Sequence, residues 1–375
     1  MYLLEHDAKE LLAEHGIAVP AGRLIGRDDT INRTELPPGP WVVKGQIAAG
    51  GRGEAGIIRK AATAQEVTDH SNAILGVTVR GRSVEAVRIE QAVTGAKEAY
   101  LGLMLDAGGV RVILSAQGGV DVEALPREAI RTEVAAPDAA ALAACIARLT
   151  ATLDGPAGKA LRDAGERLVR VFLECEALLI EINPLFVKPD GSWTAGDAKL
   201  VTDDGALERQ PGLRALLERR AAAYPEAALK LKHGFDYVVV DPAGEIGLLT
   251  TGAGLSMMLI DELRAAGLKP YNFLDIRTGG LRGETKRLTQ VLEWIGTGRS
   301  VKVLLVNIFA GITDLGEFSR LLVEALGVSH LGKPVVARLV GTNFAAARET
   351  FAAAGIALHT DLDKALAEVR ALLSH

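Results

Sequence analysis

Bases do not outnumber acids in this chain of 375 residues: 42 Lys and Arg stand against 47 Asp and Glu, a formal net charge of -5, with a pI near 5.9. Nucleic acids and anionic membrane surfaces select for a basic footprint, so neither is expected as a partner and a small ligand is favoured. Cysteine is nearly missing. The two present, Cys145 and Cys175, lie in apolar helical stretches without metal-ligand spacing and read as reduced, buried thiols of a cytoplasmic protein. No apolar run approaches the roughly 18 residues of a membrane span. The opening MYLLEHDAKELLAEHG carries acids where a secretory leader carries bases. The chain therefore reads as a soluble cytoplasmic protein. Internal repeats and low-complexity tracts are also missing.

What is present is enough apolar material, 49% of residues, to fill more than one core, and the length suits two or three domains. Leu3, Leu4, Ala8, Leu11 and Leu12 recur at helical spacing and Gly16 supplies a stop, so an amphipathic helix opens the chain. In PWVVKGQIAAGGRGEAGIIRKA a β-branched strand ends at Lys44 and runs into a loop holding Gly45, Gly50, Gly51, Gly53 and Gly56, the pattern of a glycine-rich hairpin. Alanine-rich helices are expected around 137–152 and 158–175. The second feeds the strand ALLIEI and a hairpin, EINPLFVKPDGSWTAGDAKLV, with its turn at KPDG. A polar connector runs from Asp203 to about Gly234. From DYVVVDPAGEIGLLTTGAG onward apolar strands alternate with glycine turns and helices, which fits a parallel sheet covered on both faces. A domain boundary is expected near residue 236.

Several side chains in this frame carry chemistry. Lys44, at a strand end before a glycine-rich loop, suits neutralising phosphate charge, and glycine lets backbone amides approach a phosphate chain closely. The same segment also fits a mobile surface turn. Glu90 and Glu98 lie on the next strands and are placed by alternation either on a cleft wall or in solvent. Asn183 and Asp197 lie on two paired strands of the hairpin with a spacing that permits a shared metal, offering a carbonyl oxygen and a carboxylate, the hard oxygen donors that Mg²⁺ accepts while keeping waters and nucleotide phosphates. Glu181 is two positions from Asn183, hence on the same face, beside the expected metal.

These segments resemble the ATP-grasp fold, and specifically the β subunit of succinyl-CoA synthetase and related ADP-forming acid–CoA ligases. The resemblance rests on PWVVKGQIAAGGRGEAG, GAKEAYLG, LIEINPL, GDAKL, GAGLSMMLIDELRAAG, NFLDI and LLVNIFAGI, all in that order. It implies an α/β chain with an ATP-grasp nucleotide-binding domain over 1–235, its lid subdomain at about 21–95, and a flavodoxin-like CoA-ligase domain over 236–375. It further implies that Lys44, Gly51, Arg52 and Gly53 hold phosphates of ATP, or of GTP. Glu90 would lie at the adenine and ribose end, Glu98 would line the same cleft, and Asn183 and Asp197 would bind Mg²⁺. The phosphoryl group would pass to a histidine on a separate α subunit, which would also hold most of the CoA, and Glu181 would orient that visiting ring. Alternatives are an ATP-grasp ligase that activates its acid directly and a nucleotide-binding paralogue without turnover.

In the second domain VNIFAGIT is expected to end a strand and open a helix through Gly311, with the amides around Gly311, Ile312 and Thr313 facing a substrate carboxylate. The resemblance adds Asn272 to that contact. Departures from the family pattern are also present. NFLDIRTGGLRGE replaces the usual NFLDVGGGA, putting Arg277 and Thr278 where glycines are common. Asp314 stands near a usual arginine, and Glu54 where the phosphate loop commonly has lysine. Arg277 is the expected reader of an acid other than plain succinate, with pairing to Asp314 or to CoA phosphates as its alternatives.

Overall fold

The computed structural model describes residues 1–79, 81–119, 125–278 and 283–374, which divide into two compact units, Met1–Gly212 and Leu213–His375. The first unit opens with α1 (Glu5–Glu14). Ala8 and Leu12 are fully buried along it and Leu3 just before it, and Gly16 follows its end at a φ of +74°, a conformation that costs glycine nothing.

There follow β1 (Gly22–Gly26), β2 (Trp41–Gly45), β3 (Ile58–Ala61), α2 (Ala64–Ile74), a ribbon of β4 (Thr78–Val79) and β5 (Arg82–Ser83), and β6 (Ala86–Gln91). The strands β1, β6, β2 and β3 form an antiparallel sheet in that order. Val43, Val87 and Ile89 point to one face and pack with Val67 and Ile74 of α2, a helix started by a capping box between Thr63 and Glu66. Alternation sends Lys44, Arg88 and Glu90 to the opposite face, and all three are nonetheless buried.

A second antiparallel sheet is built from β7 (Lys97–Asp106), β8 (Gly109–Ser115), β9 (Arg131–Ala135), β10 (Ala177–Val187), β11 (Trp193–Ala195) and β12 (Lys199–Thr202), with α3 (Ala139–Thr150) and α4 (Gly155–Glu174) between β9 and β10. Its order is β11-β10-β7-β8-β9, and β12 also pairs with β10. Leu142, Ile146, Leu161, Leu168 and Phe172 bury the helices' apolar faces. Leu185 of β10 is paired with Ala195 and Glu181 with Lys199, a single register on both sides of a gap. Asn183 and, in the bend between β11 and β12, Asp197 both fall within that gap.

The second unit begins with most of α5 (Pro211–Arg219), then α6 (Pro225–His233) and β13 (Asp236–Val239). The boundary expected near residue 236 falls inside this unit, at the start of β13. Leu229 of α6 belongs to the second unit's core, and Gly234 in the left-handed conformation turns α6 into β13.

Next come β14 (Ile246–Thr250), α7 (Ala253–Ala265), β15 (Asn272–Asp275), α8 (Lys286–Gly296), β16 (Val303–Asp314), α9 (Leu315–Val328), β17 (Val335–Thr342), α10 (Phe344–Ala353), β18 (Ala357–His359) and α11 (Leu362–Leu373). The strands β14, β16, β17 and β18 are parallel. β15 lies beside β14 through a parallel bridge at Ile246 and Pro270 and backbone bonds from Tyr271 to Ile246 and from Ile276 to Thr250. The spatial order, with β14 and β15 as first and second, is thus 2-1-3-4-5, the flavodoxin-like winding expected from the sequence. Leu259, Leu263, Leu366 and Val369 of α7 and α11 cover one face. Leu288, Leu292, Phe318 and Leu322 of α8 and α9 cover the other.

Candidate functional site

The first unit holds a buried set of charges where α1, the polar face of the first sheet and the turn between β11 and β12 meet. Lys44, on the last turnless stretch of β2, donates to Glu5 (2.8 Å), to the Gly196 carbonyl (2.7 Å) and to Glu90 (2.8 Å). Lys9 repeats the pattern from the helix. Its ammonium reaches both oxygens of Glu90 (2.9 and 2.7 Å), Glu5 (2.7 Å) and the same Gly196 carbonyl (2.8 Å). Arg88 donates from Nε to Glu90 (2.8 Å) and from Nη2 to the Pro20 carbonyl (2.9 Å). Arg52 closes the cluster: Nη1 donates to Glu5 (2.6 Å) and Nη2 to both oxygens of Asp197 (2.6 and 2.7 Å).

Four cations thus neutralise three carboxylates in a largely buried setting. Burial works to raise the Glu5 carboxyl, but Arg52, Lys44 and Lys9 together outweigh it and hold it well below the usual carboxylate range. Glu90 is also lowered, by Lys9 and Lys44 against burial. Burial, reinforced by the charge of Glu5, pushes Asp197 up despite Arg52. Lys44 and Arg52 are raised, because Glu5 and Asp197 together outweigh their own desolvation. Lys9 is lowered by burial. Lys44, Arg52 and Asp197, read from the sequence as phosphate and metal contacts, are therefore brought together. Glu90 joins them as a buried counter-ion, between Lys9 and Lys44.

Arg52 reaches this site from a tight turn. Backbone bonds run from Ala55 to Gly51, from Gly56 to Gly53 and from Ile57 to Arg52, with Gly51 at a φ of +80° and Gly56 at +68°. Gly51, Gly53 and Glu54 are exposed on it.

Asn183 lies in the same strand gap as Asp197. Its Oδ1 accepts from the Gly119 amide (2.9 Å) and its Nδ2 donates to the Gly119 carbonyl (2.8 Å). Glu98, exposed on β7, approaches the same residue: a Cβ on Gly119 would stand 2.8 Å from its Oε2. Glu181 is a quarter exposed beside its strand neighbour Lys199, 3.8 Å away. Among the described residues no group of three or more His, Cys, Asp or Glu forms a metal cage. A carboxylate and an amide oxygen still fit Mg²⁺ by donor type, since it takes one or two protein oxygens and completes its shell with phosphates and water.

Sequence reasoning missed Glu5, Lys9 and Gly119. The first two had a readable signal: Glu5, Ala8, Lys9 and Leu12 fall at i, i+3, i+4 and i+7, so two charges lie on the apolar stripe of a buried helix. Gly119 was visible only as part of a glycine pair.

In the second unit the structure differs from expectation at two places. Gly311 does not open a helix. β16 runs on to Asp314, with a register shift against β17 after Ala310, and α9 starts at Leu315. Asp314 caps that helix, accepting from the Glu317 amide (3.0 Å), so the chain's own carboxylate meets the helix's first turn. Gly311 and Ile312 are exposed upstream of it.

Asn272 does not line a cleft either. It is fully buried, and its amide accepts from the Leu248 N–H and donates to the Leu248 carbonyl (both 2.9 Å), bracing β15 against β14. Arg277, at a φ of +52°, pairs with Asp236 (3.0 Å) rather than with Asp314, which bonds Asn343 (2.6 Å). Thr278 meets Thr313 at 2.7 Å, so the Arg277–Thr278 and Gly311–Thr313 stretches do adjoin at the carboxyl edge of the sheet. The remainder of the altered loop, residues 279–282, lies outside the described residues.

Comparison with known proteins covers both units. Residues 2–187 match the ATP-grasp domain family and residues 249–372 the CoA-ligase family. The chain is 39% identical over 363 residues to the succinate–CoA ligase [ADP-forming] subunit beta of Chloroflexus aurantiacus, covering 94% of this chain and 93% of that one. It is 38% identical over 350 residues to the succinate–CoA ligase [GDP-forming] subunit beta of Thermus thermophilus, covering 91% of each. The solved structure of ATP citrate lyase from Methanothrix soehngenii, in complex with citrate and coenzyme A, superposes with a TM-score of 0.70 at 18% identity, over 100% of this chain and 99% of that one. At that identity the likeness is one of fold.

Proposed function

This chain belongs to the succinate–CoA ligase β-subunit family, with that family's ATP-grasp and CoA-ligase domains in order, and from that premise we propose how it works. It is the nucleotide-dependent subunit of an acid–CoA ligase that converts nucleoside triphosphate, a small carboxylic acid and CoA into nucleoside diphosphate, phosphate and acyl-CoA. The observation that carries the reading is the convergence of Lys44, Arg52 and Asp197 beneath the glycine-rich turn, with Asn183 in the same strand gap as Asp197.

In this reading Lys44 and Arg52 bind the phosphates, with Gly51 and Gly53 allowing close approach of the chain. Asp197 and Asn183 hold Mg²⁺, which when bound neutralises charge on the phosphate oxygens. Glu98 lines the same cleft from β7. Glu90 is assigned to the nucleotide site through Lys44, whose position it holds. Both ADP-forming and GDP-forming relatives exist, so ATP is proposed as the nucleotide with GTP as its rival.

The nucleophile that accepts the phosphoryl group is proposed to be a histidine of a separate α subunit. Seven histidines are present here and none sits in a glycine-rich loop. Glu181, on the face of β10 beside Asn183, would bond one ring nitrogen of that histidine and raise the nucleophilicity of the other. CoA is assigned mainly to the partner. The acid is assigned to the edge where Arg277 and Thr278 adjoin Gly311, Ile312 and Thr313. A directly acylating ATP-grasp ligase would not need the CoA-ligase domain matched over 249–372.

The test uses γ-labelled ATP with the reconstituted α and β subunits. Label should appear on an α-subunit histidine, in a Mg²⁺-dependent reaction that Asp197→Asn slows by at least tenfold at limiting metal. Labelling of this chain alone would refute the assignment, as would unchanged Mg²⁺ dependence in a folded Asp197→Asn protein.

A further inference from the structure

The residue read as a metal ligand is already held by a cation of the chain itself. Arg52 presents Nη2 to both oxygens of Asp197 and Nη1 to Glu5, and only 12% of its side chain is exposed. Its two companions differ in how they are mounted. Lys44 is part of β2, laddered to β3 and β6 on both sides, and Lys9 is in the middle of α1. Arg52 sits on the glycine turn, where a Cβ added at Gly50, Gly53 or Gly56 would meet nothing within 4 Å. Of the three cations that hold Glu5 and Asp197, Arg52 is on the segment with open space around it.

Charge balance restricts how such a site can open. Withdrawing Arg52 alone strands Asp197 next to Glu5 in a buried setting, which is costly. A divalent cation arriving alone must displace Arg52 while Lys44 and Lys9 stay close by, so positive charge accumulates. A polyphosphate arriving alone meets Asp197 and Glu5. Only a metal and a phosphate chain entering together conserve the pairing.

We propose that Arg52 is an internal stand-in for the metal: in the resting chain it closes the site on Asp197, and the metal–nucleotide complex enters by exchange. The metal takes its place on Asp197 and the guanidinium is passed to the phosphates. Lys9 remains on Glu5 and Glu90 throughout, so Lys44 too can turn to phosphate without stranding them. The chain therefore selects the metal–nucleotide complex over either component by itself. The proposal rests on the reading of Asp197 as metal ligand and Arg52 as phosphate contact.

Mn²⁺ titrated into the full chain and followed by electron paramagnetic resonance tests it, without nucleotide and with saturating ADP. Wild type should bind Mn²⁺ at least tenfold more tightly with ADP than without. Arg52→Gln should bind Mn²⁺ alone at least tenfold more tightly than wild type, and its dependence on ADP should shrink toward one. If Arg52→Gln gains no affinity for Mn²⁺ alone, while Asp197→Asn abolishes Mn²⁺ binding in the presence of ADP, the stand-in role is wrong and the metal assignment survives. If Asp197→Asn leaves Mn²⁺ binding unchanged with ADP, the underlying reading fails as well. Hydrogen exchange of residues 46–57 in the wild-type chain keeps the proposal testable without a folded variant. Protection there should change with Mg²⁺ and ADP together, and an equal change with Mg²⁺ alone would overturn it.

Discussion

Glu5 shows how a single residue gains its role from its surroundings. On an exposed helix it would be one end of an i,i+4 pair with Lys9, contributing about 0.3–0.5 kcal/mol. Here it is buried and touches Lys9, Lys44 and Arg52, and its proton affinity drops accordingly. Glu5 and Glu90 both have folded-state pKa values below their unfolded ones. The unfolded chain therefore binds more protons in acid, and the stability these pairs contribute is complete above the ordinary carboxylate range and lost as pH falls through the depressed folded values. Asp197 runs the other way, since its raised pKa makes its charged form costly. Glu5 and Glu90 should therefore each contribute a loss of stability on acidification. Melting temperature followed from about pH 6 down to pH 3 should fall more steeply for wild type than for Glu5→Gln, which should start lower at neutral pH. Parallel curves would show that Glu5 does not keep its charge in the fold.

The strand β15 illustrates the same point for an element. It is short, laddered to β13 on one side and joined to β14 on the other with no ladder of its own, and Asn272 supplies what such a ladder would: one donor and one acceptor to Leu248. Removing that amide leaves two buried backbone groups without partners, at about 1–3 kcal/mol each. Asn272→Ala should therefore lower the unfolding free energy by roughly 2–4 kcal/mol, measured by urea titration, while the KM for the acid stays unchanged in the reconstituted complex. A raised KM with unaltered stability would restore Asn272 to the acid site. The extension of β16 to Asp314 is likewise an element-scale matter. Asp314 is a good cap for α9, and by capping it this chain puts its own anion against the helix's first turn.

At the scale of the whole molecule the proposed reading divides the chemistry between the two units, phosphoryl activation in the first and acid handling in the second. The departures at Arg277, Thr278 and Asp314 all lie in the second, so they are proposed to change the acid and not the nucleotide. Arg277 is more than half exposed and pairs with Asp236, and a guanidinium suits a second anionic group on the substrate, a carboxylate or a sulfonate. A panel of succinate, malate, longer dicarboxylates, sulfo acids and monoacids, assayed with the complete complex, should give an anionic acid other than plain succinate the highest kcat/KM. Arg277→Gly should lower that value about tenfold or more, the equivalent of a charge-assisted hydrogen bond. Succinate as best substrate, with a ranking that Arg277→Gly leaves alone, would refute the idea.

Periodicity and ordered motifs by themselves determined the ATP-grasp and parallel-sheet architecture, the glycine turn, and Lys44, Arg52, Asn183 and Asp197 as candidates. Such features are local: an apolar stripe, a strand end and a register are written into neighbouring residues. Tertiary structure decided the rest. Lys9 is separated in sequence by 81 residues from Glu90 and by 187 from Gly196, and only folding stacks α1 against the first sheet's polar face to make them one network. The burial of Asn272 follows from the placing of β15 between β13 and β14. The capping by Asp314 follows from how far β16 extends before its register with β17 slips. Each depends on long-range packing, where the cost of burying a charge or an unpaired amide selects one arrangement and local sequence carries no record of the choice.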